Sequence, residues 1–406
     1  MTVDLLRRAG RIVLLAMLAV GAPALAAPSN ASPLVQVSGF ATLGAVKTDR
    51  DDVWFTRYGV NYPGDSDPDF SPDSLLGLQA SLRLSAYNDI TVQMLMREDG
   101  EESYDPRITL AFFRQTLAPG LSLRLGRLRV PFFMLSDSLH INYANPWVRP
   151  PVEVYSLNPF NDLDGVDLVY HTRLGALDTE LHPYFGRGRV PFPMGRARLK
   201  ATWGLNVALS RGDFSLHLGH GDGRFSMVRG DPETHSLVAA LSRAGLSGVA
   251  ADLSGTDGST RFDSVGLQWD DGTWQVVSEY ARRRANRYAT SSSGWYVSVG
   301  RRFGPLTPYA VIARQRLDEQ MAEAAVPAGL QHAWDEFLTS RNNAQRSFTV
   351  GTRWDVTSFA AVKAEVTRTR VDSDSWGSYF PRGGRNEAAI AGKRMNTFSL
   401  SLDLTF

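Results

Sequence analysis

The sequence contains no cysteine, only four lysines among its 43 basic residues, and no long apolar run beyond its first two dozen positions. The absence of cysteine excludes disulfide bonds and thiolate metal sites. No later run reaches the ~20 apolar residues of a membrane-spanning helix, so a chain that enters a membrane must do so as strands closed into a barrel. The 43 basic and 42 acidic residues form no basic tail or block, which argues against a nucleic-acid partner.

The first 26 residues have the organisation of a cleaved signal peptide. Arg7, Arg8 and Arg11 precede an apolar run at residues 12–22, and the small-residue site Ala24-Leu25-Ala26 follows. A retained membrane anchor is disfavoured because the apolar run is too short to span a bilayer. We therefore expect residues 1–26 to be removed on export and residues 27–406 to form a single transmembrane domain.

From residue 35 onward, apolar residues alternate with small or polar residues in repeated segments of about ten residues. The last segment, residues 398–406, reads Phe-Ser-Leu-Ser-Leu-Asp-Leu-Thr-Phe. Such alternation is typical of a strand with one apolar and one wet face. Sixteen segments of this kind predict an all-β protein, a transmembrane antiparallel β-barrel in the outer membrane of a Gram-negative bacterium.

The connections between these segments alternate in length. Tight turns rich in Gly, Pro, Asn and Asp occur at one end of the segments, and longer connectors occur at the other. The strand count depends on residues 235–252, where apolar residues recur at four-residue spacing. This spacing favours a helix within a long loop. If the segment formed two strands instead, the barrel would have eighteen.

Alternation also predicts which side chains face the lumen. In residues 198–207 it places Leu199 and Trp203 against lipid, and Arg198, Lys200 and Thr202 inside. Unpaired ions in a packed interior would cost several kcal/mol each, so a wet lumen is favoured. Further charged residues assigned to the lumen include Arg302, Arg314, Arg353, Asp167, Glu279, Glu365 and Asp403, while an outer aromatic girdle includes Trp203, Trp274, Tyr309 and Trp354.

The connector at residues 131–164 carries six aromatic residues and several prolines. Because apolar rings are unfavourable in water, we expect this loop, the third of the long ones, to fold into the barrel and narrow the channel. It would then present acidic groups across from a basic wall and create a transverse field at the constriction. The acidic set is Asp137, Glu153, Asp162 and Asp164, and the basic set is Arg83, Arg97, Arg127 and Arg129.

Three motifs carry a family resemblance. They are Gly126-Arg127-Leu128-Arg129-Val130-Pro131, Ser136-Asp137-Ser138-Leu139 and Pro146-Trp147-Val148-Arg149-Pro150-Pro151. With them, the chain resembles the sixteen-stranded porins of Gram-negative outer membranes, in particular a proteobacterial porin-like group, over nearly its whole length after the signal segment. The resemblance implies a passive diffusion channel, a homotrimer, a third loop inside the barrel, and outer-membrane lipid, ions and small hydrophilic solutes as partners.

Three classes of function remain to be compared. A diffusion porin is favoured, a substrate-selective channel for anions or sugars is the first alternative, and an outer-membrane hydrolase or surface-binding barrel is the second. The sequence has neither a G-x-S-x-G nor an H-E-x-x-H motif, and Ser136, Asp137 and His140 are too close together to be counted as a triad. His217 and His220 are interpreted as polar surface. We expect no enzymatic activity, no metal site and no cofactor.

Overall fold

The computed structural model describes residues 34–57, 67–98, 103–192, 195–254, 257–382 and 390–406. The predicted signal peptide, residues 1–26, lies outside the described residues, so the division of the chain at residue 26 stays a prediction. Within the described ranges, no helix is both long and apolar enough to cross a membrane.

Sixteen strands of the described residues pair in chain order into one closed antiparallel barrel. The last barrel strand pairs with the first, with Thr405 opposite Phe40 and Thr397 opposite Thr48. The prediction of sixteen strands is therefore confirmed over eighteen. The barrel strands are β1 Val35–Thr48, β3 Leu75–Arg83, β4 Asn88–Arg97, β5 Arg107–Ala118, β6 Leu121–Arg129, β7 Asp162–Leu174, β8 Leu177–Phe192, β9 Gly195–Arg211, β10 Phe214–Arg229, β11 Gly258–Asp270, β12 Trp274–Ala285, β13 Ser291–Arg301, β14 Leu306–Glu319, β15 Gln345–Thr357, β16 Ala360–Val371 and β18 Arg394–Thr405. The short strands β2 Val53–Phe55 and β17 Tyr379–Pro381 pair with each other in a separate two-stranded sheet.

The two faces of β18 show how the wall is built. Ser399, Ser401 and Asp403 are buried on the inner face, whereas Phe398 and Leu400 are 47% and 55% exposed on the outer face. Because side chains alternate along a strand, the same pattern repeated around the barrel covers its outside with apolar side chains. A belt of this kind is compatible with lipid and unfavourable in water.

A bulge in β9 reverses the predicted facing of the residues on the loop side of this strand. Thr202 lies opposite Gly186 of β8, but Leu199 lies opposite Gly188, so β9 contains one residue more than β8 over this interval. An extra residue shifts the alternation by one position. Leu199 is consequently buried in the barrel, at 4% exposure. The prediction was wrong for Leu199 and for the two basic residues that flank it, which are exposed.

The facing of β14 was also predicted wrongly. Tyr309 is 4% exposed and its hydroxyl donates a hydrogen bond to Glu365 Oε1 at 2.8 Å, inside the barrel. Arg314 lies opposite Trp295 on the outer face, while its neighbour Gln315 is buried on the inner one. The sequence was misleading because the inner face of β14 is itself apolar where it packs against the third loop.

Short turns connect the strands at one end of the barrel, and most connections at the other end are long loops, as predicted. The exceptions are the connections between β8 and β9 and between β12 and β13, which are short because these strands extend further than predicted. Five turns contain a glycine with positive φ: Gly120, Gly175, Gly212, Gly272 and Gly304. Glycine adopts this backbone conformation without steric cost, which explains why these turns are so short.

The long loops contain the helices. Residues 235–252 contain helix rather than strand, as favoured, but they belong to two helices that are separated by a turn at residues 244–246. Leu241 and Leu253 of these helices pack with Trp334 and Phe337 of a further helix that the sequence did not predict. Together these three helices form a cap on the loop side, which we call the helical cap. The helices are α1 Val152–Tyr155, α2 Pro232–Arg243, α3 Ser247–Ser254 and α4 Ala328–Thr339.

The third loop, residues 130–161, lies inside the barrel, as predicted. Trp147 is 1% exposed, and its indole Nε1 donates a hydrogen bond to Ser298 Oγ of β13 at 2.9 Å. The neighbouring backbone N of Val148 donates to Glu365 Oε1 of β16 at 2.8 Å. At its deepest point the loop reaches the short-turn end, where the Tyr143 hydroxyl donates to the carbonyl of Ser358 at 2.8 Å. The loop thus occupies a large part of the lumen and confines solutes to the rest.

Candidate channel constriction

A row of three glycines bends the barrel wall where the third loop begins. Gly126 of β6 lies opposite Gly165 of β7, which lies opposite Gly186 of β8. A Cβ added at Gly126 would lie 2.2 Å from the carbonyl oxygen of Ala111, and one at Gly165 would lie 2.1 Å from that of Phe185. Since no side chain fits at such distances, glycine is required for the close approach of these strands.

Beyond this bend, β6 separates from β5. Pairing between these strands ends at Ala111 and Arg127, whereas β6 stays paired with β7 as far as Arg129 and Asp162. The Arg129 guanidinium is 7% exposed and donates to Gln93 Oε1, on the inner face of β4, at 3.1 Å. The ends of β6 and β7 therefore lean into the barrel, so that arginines on them approach the inner face of β4.

The bend creates a cavity of about 620 Å³ between the inner faces of β4 and β5 and the ends of β6 to β9. We call it the arginine cavity. Two carboxylates, Asp162 and Asp164, and the imidazole of His140 also line it. Its six arginines are Arg97, Arg107, Arg127, Arg187, Arg189 and Arg196.

Arg127 is held in place by a bidentate ion pair. Its Nε donates to Asp164 Oδ1 at 2.7 Å and its Nη2 to Asp164 Oδ2 at 3.1 Å, while Nη1 donates to the carbonyl of Ile108 at 2.9 Å. Asp162 lies 3.6 Å from the same Nε. A planar guanidinium suits such a fork geometry. With two carboxylates against six arginines, the cavity retains an excess of positive charge.

Most of the residues predicted for the constriction come together here. Arg97, Arg127, Asp162 and Asp164 line the arginine cavity, and Arg129 lies behind it. Arg97 approaches Nδ1 of His140, on the third loop, at 3.4 Å. That these residues act on permeating solutes stays a prediction.

Asp137 lies in the third loop. Its side chain is exposed, and its charge acts on Arg124 and on Arg129. Its role at the constriction stays a prediction.

Two predicted residues lie elsewhere. Arg83 is the last residue of β3 and lies opposite Asp89 at the short-turn end, where its backbone N donates to the carbonyl of Leu34 at 2.9 Å. Glu153, in α1, is 2% exposed and accepts a hydrogen bond from Gln345 Nε2 at 2.8 Å. Its carboxylate is turned to the wall at β15 rather than to the arginine cavity, because α1 packs against that side of the barrel.

Four arginines of the cavity were not predicted from the sequence, namely Arg107, Arg187, Arg189 and Arg196. Arg187 and Arg189 of β8 and Arg196 of β9 lie on the outward side of their strands, in β9 because of the bulge. The bend turns this side towards β4 and β5. Asp167, which was predicted to face the lumen, accepts a hydrogen bond from Arg124 Nε at 2.9 Å and lies 2.8 Å from His182 Nε2; these two partners were not predicted.

The residues considered for hydrolytic or metal chemistry do not assemble. The hydroxyl of Ser136 accepts a hydrogen bond from the backbone N of Phe133 at 2.9 Å, and His140 lies beside Arg97. His217 is buried on the inner face and lies 3.2 Å from Asn206 Nδ2, whereas His220 lies on the outer side, 2.7 Å from Asp263. The two histidines thus face opposite sides of β10.

No known family model matches the sequence, and no curated protein matches it. Solved structures do resemble the fold. In vitro folded OmpT, an outer membrane protein of Vibrio cholerae, has a TM-score of 0.53 at 11% identity, over 92% of this chain and 99% of that one. The anion-selective porin of Comamonas acidovorans has a TM-score of 0.54 at 10% identity, covering 92% and 99%. Salmonella typhi OmpF, in complex with daunomycin, has a TM-score of 0.54 at 12% identity, covering 92% and 97%. The chain therefore has a porin-like fold.

Proposed function

We propose that this porin-like barrel forms a water-filled channel through which ions and small hydrophilic solutes diffuse passively. The observation that carries the proposal is the arginine cavity, which lies inside a closed barrel whose outer face is apolar. Barrels of this strand number are wide enough to leave an aqueous passage. The third loop narrows the passage on one side, and the charged side chains of β4 to β9 line the other.

The outer membrane of a Gram-negative bacterium is the proposed location, reached through the predicted signal peptide. The apolar belt supports lipid as the surrounding partner. A homotrimer is proposed because one of the resembling structures, that of Vibrio cholerae OmpT, is a trimer form. The balanced composition leaves no basis for a nucleic-acid partner.

A preference for anions is the more specific version of the proposal. Six arginines against two aspartates line the cavity, and rings of basic side chains select for anions in pores. One resembling structure is an anion-selective porin. The arginine cavity has no comparable feature that would favour sugars, the other solute class considered from the sequence.

We do not propose a catalytic function for this barrel. Several charged groups of the described lumen are engaged in ion pairs and loop anchors. Examples are the Arg127–Asp164 ion pair and the Glu279 carboxylate, which accepts hydrogen bonds from the backbone N of Met134 and the hydroxyl of Tyr155. Groups held in this way support a rigid wall rather than proton transfer.

Single-channel recording in a planar bilayer tests the proposal. The full-length mature chain, refolded and purified, is expected to give stepwise ohmic currents in KCl. Under a salt gradient the reversal potential should have the sign of an anion-preferring pore. Folded barrels that insert without conducting would reject the channel, whereas a cation-preferring reversal potential would reject only the selectivity.

A further inference from the structure

Four arginines on neighbouring strands form a row across the outer face of the barrel, towards its loop side. Arg314 of β14 lies directly opposite Arg346 of β15, which lies opposite Arg370 of β16, and Arg370 lies opposite Arg394 of β18. We call these four residues the arginine row. Because neighbouring strands are about 4.8 Å apart, adjacent guanidinium groups can contact the same small anion.

The arginine row lies at the edge of the apolar belt. On β15 the outward side chains Phe348, Val350, Trp354 and Val356 are all about half exposed. This segment, residues 348–356, has the length of ~9–11 residues that a strand needs to cross the hydrocarbon core of a membrane. Arg346 is the next outward residue beyond the segment and is exposed. We therefore place it at the depth of the lipid headgroups.

The strands on either side of β15 change from apolar to basic in the same way. On β14 the outward residue Ile312 is 47% exposed and is followed by Arg314. On β16 Val366 is 47% exposed and is followed by Arg368 and Arg370, both exposed. The outer face of the barrel is therefore apolar up to one boundary on these strands and basic beyond it.

Two aromatic residues continue the arginine row along the outer face. Trp295 of β13 lies directly opposite Arg314, and Tyr280 of β12 lies directly opposite Trp295. Tyr280 is 44% exposed. Trp and Tyr are enriched where a membrane meets water, because their rings have an apolar body and a polar group. Their position supports the headgroup depth of the adjoining arginines.

The charges of the arginine row are not balanced by the protein. Among the residues that the structure describes, no carboxylate forms an ion pair with any of the four. On β10 to β12, by contrast, outward arginines do have such partners, with Arg261 3.2 Å from Asp222 and Arg284 3.8 Å from Asp263. Like charges in directly opposite positions repel. An anion bound over the arginine row would remove this repulsion.

A phosphate group suits these arginines. A guanidinium binds phosphate oxygens through two parallel N–H···O hydrogen bonds and keeps its charge at any physiological pH. A ligand in this place also meets the exposed apolar side chains of Ile312 and Phe348, which lie two residues from Arg314 and Arg346 on the same strands. An anionic lipid satisfies both surfaces, with its acyl chains along the apolar belt and its phosphate over the basic side chains.

We infer that the arginine row is a binding site for the phosphate groups of anionic lipids, in the membrane leaflet on the loop side of the barrel. The inference rests on the proposed membrane location and does not require the channel to conduct. Each phosphate lies between two neighbouring arginines, and the acyl chains of the bound lipid lie against the apolar residues of the same strands.

Tryptophan fluorescence tests the site, because Trp295 lies beside it. The folded full-length mature protein is inserted into phosphatidylcholine vesicles that contain a minor fraction of phosphatidic acid with brominated acyl chains, or the same fraction of brominated phosphatidylcholine. The difference between wild type and W295F isolates the signal of Trp295. We expect brominated phosphatidic acid to quench this signal about twofold more strongly than brominated phosphatidylcholine. Equal quenching by the two lipids would overturn the inference.

Two double variants test whether the arginine row causes the preference. R346Q/R370Q removes the two central charges of the row and should abolish the excess quenching by phosphatidic acid. R261Q/R284Q is the matched control, because Arg261 and Arg284 also lie directly opposite each other but have aspartate partners. The control should keep the excess. Equal loss in both variants would mean that the overall charge of the barrel attracts the lipid, and would overturn the assignment to the row.

Native mass spectrometry of the protein in detergent gives a second readout that does not depend on W295F. Wild type should retain phosphatidic acid more strongly than phosphatidylcholine, and R346Q/R370Q should lose this difference. Excess inorganic phosphate distinguishes a lipid from a soluble anion. Phosphatidic acid should stay bound in its presence, whereas displacement by inorganic phosphate would show that the site takes free anions and would overturn the lipid assignment.

Current recordings separate this inference from the channel proposal. R346Q/R370Q should conduct KCl as wild type does, because both residues lie on the outer face. A conducting channel without a preference for phosphatidic acid rejects the lipid site alone. A folded barrel that prefers phosphatidic acid but never conducts rejects the channel alone.

Discussion

The ammonium of Lys363 and the carboxylate of Asp403 lie 2.9 Å apart on neighbouring strands, both fully buried. Lys363 Nζ also donates to the carbonyls of Asn142 at 2.6 Å and Trp147 at 2.8 Å. Asp403 accepts from Thr42 Oγ1 at 2.6 Å. One ion pair in the barrel wall thus holds two points of the third loop.

Replacing Lys363 by methionine should destabilise the protein by about 3–5 kcal/mol, because it leaves the buried Asp403 carboxylate without its partner. The two loop carbonyls lose their donor as well. Urea unfolding of the refolded barrel measures the loss. The double variant K363M/D403L, which removes both charges, should recover part of the stability, and K393M at an exposed position is the control. Equal instability of the single and double variants would show that the charge imbalance is not the cause.

Replacing Arg127 and Arg129 by glutamine should shift the selectivity of the channel towards cations. Arg127 lines the arginine cavity and Arg129 donates to Gln93 of β4, so replacing both lowers the positive charge at the proposed constriction. The reversal potential under a KCl gradient measures the shift. R301Q is the control, since Arg301 lies on the outer face over the ring of Trp274 at 5.0 Å. An unchanged reversal potential in the double variant would place these arginines away from the ion path.

Replacing Asp231 by alanine should lower the local stability of the helical cap by about 1 kcal/mol. Asp231 is the N-cap of α2, and its Oδ2 accepts a hydrogen bond from the backbone N of Thr234 at 3.0 Å. Hydrogen exchange of α2 at neutral pH measures the change. The control is D231N, which keeps an acceptor at this position. Equal exchange in the alanine and asparagine variants would contradict a capping role.

The Asp231 carboxylate should also make the stability of the helical cap depend on pH. Burial acts to raise the pKa of Asp231, but the hydrogen bonds from Thr234 and the charge of Arg341 outweigh it and hold the pKa below its usual value. Its stabilising contribution is therefore complete above about pH 3.9, the unfolded value, and is lost as pH falls through the lower folded pKa. Pepsin cleavage of the cap should accelerate in wild type relative to D231N between pH 4.5 and pH 2.5, approximately the window set by these values. A constant ratio of the two cleavage rates would contradict this prediction.

Replacing Arg346 by glutamate should stabilise the barrel by roughly 0.2–1 kcal/mol. Arg346 lies directly opposite Arg314 of β14 and Arg370 of β16, and Arg370 in turn lies opposite Arg394. Like charges in directly opposite cross-strand positions repel, whereas a glutamate in the middle attracts both neighbours. The urea midpoint measures the gain. R211E is the control, because Arg211 lies opposite Phe214. A midpoint that rises equally in both variants would show that the cross-strand repulsion is not responsible.

Much of the barrel could be predicted from the sequence because strand alternation is a local property. Residues 398–406 display both faces of β18 without any knowledge of its neighbours, and the glycine-containing turns punctuate the chain in the same local way. The aromatic third loop could also be placed inside the barrel, since so many rings are unfavourable in water. The strands extend further towards the loop side than predicted, as β10 does, which continues from residue 220 to Arg229.

The constriction could be predicted only in part. Arg97, Arg127, Asp162 and Asp164 come together as the third-loop argument requires. Arg83 and Glu153 carry the right charges, but register places the first at the short-turn end, and a hydrogen bond from Gln345 of β15 holds the second away from the arginine cavity. Charge and position along the chain do not specify how far along the barrel axis a residue lies.

The sequence by itself determined that the chain forms an antiparallel barrel and favoured sixteen strands over eighteen, because a two-residue period and short turns act within a few residues of one another. Only the tertiary structure decided which side chains on the loop side of β9 face the lumen, and which arginines share a cavity. A bulge is defined by what lies opposite it, since Leu199 faces the lumen only because β8 contains one residue fewer over the same interval. The glycine bend at Gly126 and Gly165 likewise acts through strands distant in sequence. Such relations between strands cannot be predicted from any single segment of the chain.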